Sequence, residues 1–104
     1  MKKSILENHD FVLGVEEEWN LYYEVIVKFI EEVTINANTY HLFVDESTKK
    51  YFYLRPRYSG HNIAGVFVEK QVIVNLFAVD SEPYQADKKQ SITHATGVLK
   101  IPNS

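Results

Sequence analysis

The 104-residue chain has no cysteine, and its four glycines and three prolines are scattered. Without thiols there is no disulfide framework, no thiolate nucleophile and no cysteine-ligated zinc. Without a glycine-rich run there is no phosphate-cradling loop. No window comes near the roughly 18 apolar residues that a membrane span needs. The Met1-Lys2-Lys3 start resembles the charged opening of a signal peptide. The apolar stretch that should follow is broken by Glu7, Asn8, His9 and Asp10, so a cytoplasmic protein is expected. The N-terminus carries no lipidation signature. GxSxG, Ser-His-Asp and HExxH signatures are missing, and the histidines (His9, His41, His61, His94) show no ligand spacing. Neither a catalytic residue, a metal site nor a cofactor is therefore expected.

Aromatic residues are abundant: seven Tyr, six Phe and one Trp. With 45% hydrophobic and 24% charged residues, the composition is that of one globular domain spanning residues 1–104. Charge is divided unevenly along it. Residues 1–46 hold three lysines against ten acids, net −7, and residues 47–104 hold eight bases against four acids, net +4. Such a division hints at a charged partner.

The central region is rich in the β-branched and aromatic residues that suit a pleated surface. Tyr40–Val44 and Lys50–Pro56 flank a polar turn at Asp45–Lys49, which predicts a hairpin that Pro56 ends or places at an edge. A second hairpin is expected from Ala64–Val68 and Val72–Val79. The latter strand is apolar on both faces, which predicts a central, buried position, with Asn75 in need of partners if it is covered. Asp80–Gln90 reads as a long connection and Ile92–Ile101 as a last strand, with Gly97 marking a bulge. Glu16–Ile35 fits two periods. As a strand, one parity gives Leu21, Tyr23, Val25, Val27, Phe29, Glu31, Val33 and Ile35, apolar but for Glu31. As a helix, Trp19, Tyr22, Tyr23, Ile26, Phe29, Ile30 and Val33 share a face. The β-branched run Val25-Ile26-Val27 and the acids Glu31 and Glu32 at a helix C-terminus favour the strand. The fold expected is mostly β: an antiparallel meander forming a small sandwich, half-barrel or curled sheet. A helix over 16–33 would make it α+β instead.

Two binding chemistries compete. Lys49 to Tyr58 interleaves bases (Lys49, Lys50, Arg55, Arg57) with aromatics (Tyr51, Phe52, Tyr53, Tyr58), as single-stranded nucleic-acid platforms do. Alternation turns one aromatic pair into the core, however, and the sequence pI of 5.8 is not that of a nucleic-acid module. Arg55, Arg57 and His61 hold the minimum for phosphodiester cleavage, but they are three common residues on a loop. Direct nucleic-acid binding and a membrane partner are not expected.

The acids group as Glu16-Glu17-Glu18 beside Trp19, Glu31-Glu32 and Asp45-Glu46. Brought together, they would present carboxylates with Trp19 and Tyr22 as aromatic anchors to a basic protein. A nucleic-acid-processing protein is the natural basic partner, since its active site must attract phosphate. In size, acidity, lack of cysteine and β-rich aromatic make-up, including Glu16-Glu17-Glu18-Trp19 and Asp45-Glu46, the chain resembles small bacterial immunity proteins of contact-dependent growth inhibition systems. The likeness lies in the whole chain and not in a motif, so no residue role is carried over. It implies a cytoplasmic antitoxin that binds a toxin, often a nuclease, and occludes its active site. Expected partner-binding residues are Glu16, Glu17, Glu18, Trp19, Tyr22, Glu31, Glu32, Asp45 and Glu46.

Overall fold

A computed structural model describes residues 10–17, 21–57 and 71–100. Six strands follow one another: β1 (Asp10–Glu17), β2 (Leu21–Ile35), β3 (Asn38–Asp45), β4 (Lys50–Pro56), β5 (Gln71–Asp80) and β6 (Ile92–Lys100). Each pairs antiparallel with the next, and β6 returns to β1, so the meander closes into a barrel. The expected curled antiparallel sheet is present and its curl is complete. Among the described residues no helix is long and apolar enough to cross a membrane.

The helical alternative for 16–33 does not occur. Leu21–Ile35 is one strand, as the β-branched run indicates, and Glu16 and Glu17 end the strand before it. The sequence reading missed β1, although Phe11, Leu13 and Val15 alternate cleanly into the core.

Strand alternation builds the interior. Phe11, Phe43 and Phe52 are fully buried together with Leu13, Val15, Val27, Leu54, Val74 and Leu99. Phe43 meets Phe11 edge-on at 5.6 Å and Phe29 at 5.5 Å. Followed from Asp10, the register passes through Lys28, Val44, Tyr51 and Val79 to Ile92. Across the β1–β6 seam, Val12 already faces Lys100. The sheet thus closes with a stagger of about ten residues, which tilts the strands steeply across the barrel.

That tilt divides β2 between its neighbours. β1 pairs with Leu21–Lys28 and β3 with Lys28–Ile35. The register slips between Phe29 and Glu31, so Ile30 is a bulge residue. The bulge reverses the parity: Tyr23, Val25 and Phe29 pack inward, whereas Val33 and Ile35 join a cluster outside the barrel. Glu31, the one misfit in the sequence pattern, directly follows this switch. At Gly97, where a bulge was expected, both registers run through without a break. Gly97 instead permits close approach, because a Cβ there would strike the carbonyl of Gly14.

The β2–β3 hairpin turns on Asn36 and Ala37, both at positive φ (51° and 69°), as a two-residue turn requires. Pro56 ends β4 as expected. β5 is buried on both faces only over Leu76–Val79, and Asn75 is exposed, so it needs no buried partner. Residues 64–68, expected as a strand, lie outside the described residues, and β5 takes β4 and β6 as partners. The 81–91 connection folds back on the barrel. Tyr84 donates its backbone N–H to the Tyr53 hydroxyl at 2.8 Å and sets its ring against Phe77 at 5.4 Å. With Leu42, Tyr53, Phe77 and Val79 it forms the second, external cluster.

Candidate partner-binding face

The 81–91 connection packs on the outer side of β4 and β5 through Tyr84, and among the described residues no connection covers the outer side of β2. The outward parity of β2 before the bulge is Tyr22, Glu24, Ile26, Lys28. Tyr22 and Ile26 are each 56% exposed and Ile30, at the bulge, 43%. These are large apolar side chains in a row of alternate charge, which is unusual for a merely solvated strand. Tyr22 is held in place: its ring lies over Gly14, where a Cβ would collide with its hydroxyl, and it donates to Glu24 Oε2 at 3.0 Å. That hydrogen bond to a carboxylate is the main reason the phenol titrates above its usual value. Lys100 Nζ reaches the same oxygen at 3.4 Å. Glu16 stands directly opposite Tyr22 on β1.

The carboxylates expected to form one surface are distributed over four places among the described residues. Glu16 lies on the face just described, with Tyr22. Glu17, one residue on, turns to the barrel mouth and accepts a hydrogen bond from Tyr23 at 2.9 Å. Lys50 caps this mouth, with its ammonium 3.5 Å from the Tyr23 hydroxyl and 5.8 Å from the centre of the Phe52 ring. Burial, and then the Glu17 bond, push the Tyr23 phenol well above the normal tyrosine range. Glu31 pairs with Leu42 on the outside, past the bulge. Glu32 pairs with His41 and sets its carboxylate 3.3 Å from His41 Nε2.

Asp45 and Glu46 occupy the β3–β4 turn. Asp45 is buried and local: its Oδ1 accepts from Ser47 N at 3.0 Å and Ser47 Oγ at 2.8 Å. Burial alone would raise this carboxyl, but the bonds from Ser47 and Thr48 outweigh it and hold the pKa below normal. It is a turn-forming residue, and its Oδ1 is committed to Ser47. Glu46 is exposed and lies 3.6 Å from Lys28 Nζ, which also approaches Asp10 at 3.9 Å. Glu18 and Trp19 lie outside the described residues. Glu16, Tyr22 and Glu31 therefore share the outer side of the barrel, while Glu17, Glu32 and Asp45 are turned to other duties.

Ile26, Ile30 and Glu24 were missed as site candidates. Their signal was the mixed parity of β2, where two isoleucines stand on the side left to water. The basic–aromatic segment is differently used: Phe52 is inside the barrel, and Tyr53 is buried and stacked on Phe77 at 4.7 Å, so no base can stack there. Arg55 lies over the Tyr40 ring at 5.6 Å. Among the described residues no three His, Asp or Glu side chains gather in a way that could hold a metal ion.

Comparison with family models, curated proteins and solved structures finds no match. The functional reading therefore stands on the geometry.

Proposed function

We propose that this chain is a non-catalytic inhibitor of the toxin–immunity kind, which binds a basic protein, a nuclease domain, and covers its active site. The observation that carries this is the exposed row Tyr22, Ile26 and Ile30, flanked by Glu16, Glu24 and Glu31. Apolar anchors supply short-range binding energy, and the surrounding carboxylates favour a cationic partner and speed the encounter. The −7 balance of residues 1–46 acts in the same sense at longer range. The nucleic-acid reading has less to support it, because Phe52 and Tyr53 are spent on packing.

The test takes the protein that co-purifies stoichiometrically with this chain from its native cells. That protein is assayed for cleavage of plasmid DNA and transfer RNA, and the purified chain is added back. Equimolar suppression of cleavage supports the reading when it is weakened in an Ile26→Ser/Ile30→Ser variant that keeps the parent melting temperature. A captured protein without nuclease activity, or suppression indifferent to the two changes, overturns it.

A further inference from the structure

β2 is longer than either neighbour, and among the described residues its sharing between them leaves an edge open. On the β3 side, pairing begins only at Lys28, opposite Val44, after which β3 reaches Asp45 and turns away. Among the described residues no strand pairs with that side of Leu21–Val27, although β1 is paired along the whole of the other side. In an antiparallel strand every second residue turns its N–H and C=O to the same side, so this stretch offers a row of unused donors and acceptors. Open edges are ordinarily blunted by lysine or proline. Leu21-Tyr22-Tyr23-Glu24-Val25-Ile26-Val27 contains neither.

The notch beside this edge is concave. An open hollow of about 530 Å³ lies between Glu24, Val25 and Ile26 on one side and Asp45 and Glu46 on the other, with Asp10 and Lys28 also lining it and Lys100 reaching Glu24 at 3.4 Å. Lys28 is itself shared between Asp10 and Glu46. Acids therefore outnumber bases around a hydrogen-bonding edge that also carries an exposed isoleucine.

We propose that this notch takes an extended, lysine- or arginine-bearing segment of the partner, which adds to β2 as a strand over Leu21–Val27. Main-chain hydrogen bonds supply the affinity, and Glu24 and Glu46 select the cationic side chains. The inference rests on the basic-partner reading above and states how that partner docks. A second copy added antiparallel and centred on Glu24 would set two Glu24 carboxylates against each other, which makes self-pairing unfavourable.

The test uses the intact chain, amide hydrogen exchange by NMR, and a capped ten-residue peptide of alternating Lys and Val. In the free protein, alternate amides of Leu21–Val27 exchange quickly while those bonded to β1 are protected. The peptide slows the fast set and shifts residues 21–28 and 44–47. N-methylation of alternate peptide amides weakens binding by about tenfold to a hundredfold, as loss of several main-chain bonds predicts. A Glu–Val peptide binds more weakly than the Lys–Val one, and a Glu24→Gln/Glu46→Gln variant narrows that difference. Uniform protection of Leu21–Val27 in the free protein, a dimer in solution with those amides protected, or equal binding of the N-methylated peptide overturns strand addition and leaves docking on the outer face untouched. Equal binding of the Glu–Val and Lys–Val peptides at an open edge overturns the cationic partner instead.

Discussion

Two glycines face the seam where the barrel closes, and replacing each with alanine has unequal consequences. Gly97 on β6 lies opposite Val15, and a Cβ on it would strike the main-chain carbonyl of Gly14 while only touching a methyl of Leu76. A carbonyl held in the β1–β6 ladder cannot step aside without parting the strands. Overpacking a well-filled interior costs about 1–3 kcal/mol, and disturbing ladder bonds at the seam adds about 1 kcal/mol each. Gly97→Ala should therefore lose roughly 2–4 kcal/mol, a large fraction of the about 5–15 kcal/mol typical of a domain. Gly14→Ala meets only the far end of the Tyr22 side chain, which is exposed and gives up one exposed hydrogen bond to Glu24 when it turns into water. Its cost should stay below about 1 kcal/mol, because alanine recovers part of the backbone entropy that glycine loses in a strand. Urea unfolding followed by circular dichroism, with the m-value checked for constancy, measures both. Equal losses for the two variants, or a neutral Gly97→Ala, would refute the close approach inferred at the seam.

Two further predictions concern buried polar groups. His41 is 8% exposed, and its polar neighbour is the Glu32 carboxylate, 3.3 Å from Nε2; burial, opposed only in part by Glu32, holds its pKa below the usual 6.5. The unfolded chain therefore takes up a proton first, so stability is full above about pH 6.5 and falls as the pH drops below it. His41→Phe should flatten the melting temperature between pH 7.5 and 5.5, and an unchanged slope would assign the pH dependence elsewhere. Tyr53→Phe removes the acceptor for the Tyr84 N–H; a loss of about 1–2 kcal/mol and faster exchange of that one amide are expected, with the barrel amides unaffected.

Local chemistry made most strands legible. The Val25-Ile26-Val27 run, the polar turn before Lys50 and the stop at Pro56 each act within a few residues, and each stands. β1 escaped because Glu16 and Glu17 read as the head of an acidic cluster, so the alternation of Phe11, Leu13 and Val15 went unused. The bulge at Ile30 was visible only as Glu31 breaking an otherwise apolar parity, and Gly97 was the more obvious suspect. Convergence of the acids was the least legible feature, because which side a carboxylate faces depends on register. One bulge sends Glu31 outward and Glu32 to His41, and one turn commits Asp45 to Ser47. The exposed isoleucines became candidates only once the 81–91 connection showed which side of the barrel it protects.

The closed meander also imposes an order of assembly. The β1–β2, β2–β3 and β3–β4 pairs are joined by very short connections, so each can zip outward from its own turn at small entropic cost. The β1–β6 pair joins residues at opposite ends of the chain, such as Val12 and Lys100, and must wait until the intervening strands have curled far enough to meet. Contact order therefore predicts that the shutting of a nearly finished ring is the slow step of folding. Until it shuts, β1 and β6 each present a bare edge, which makes that moment the most exposed to aggregation.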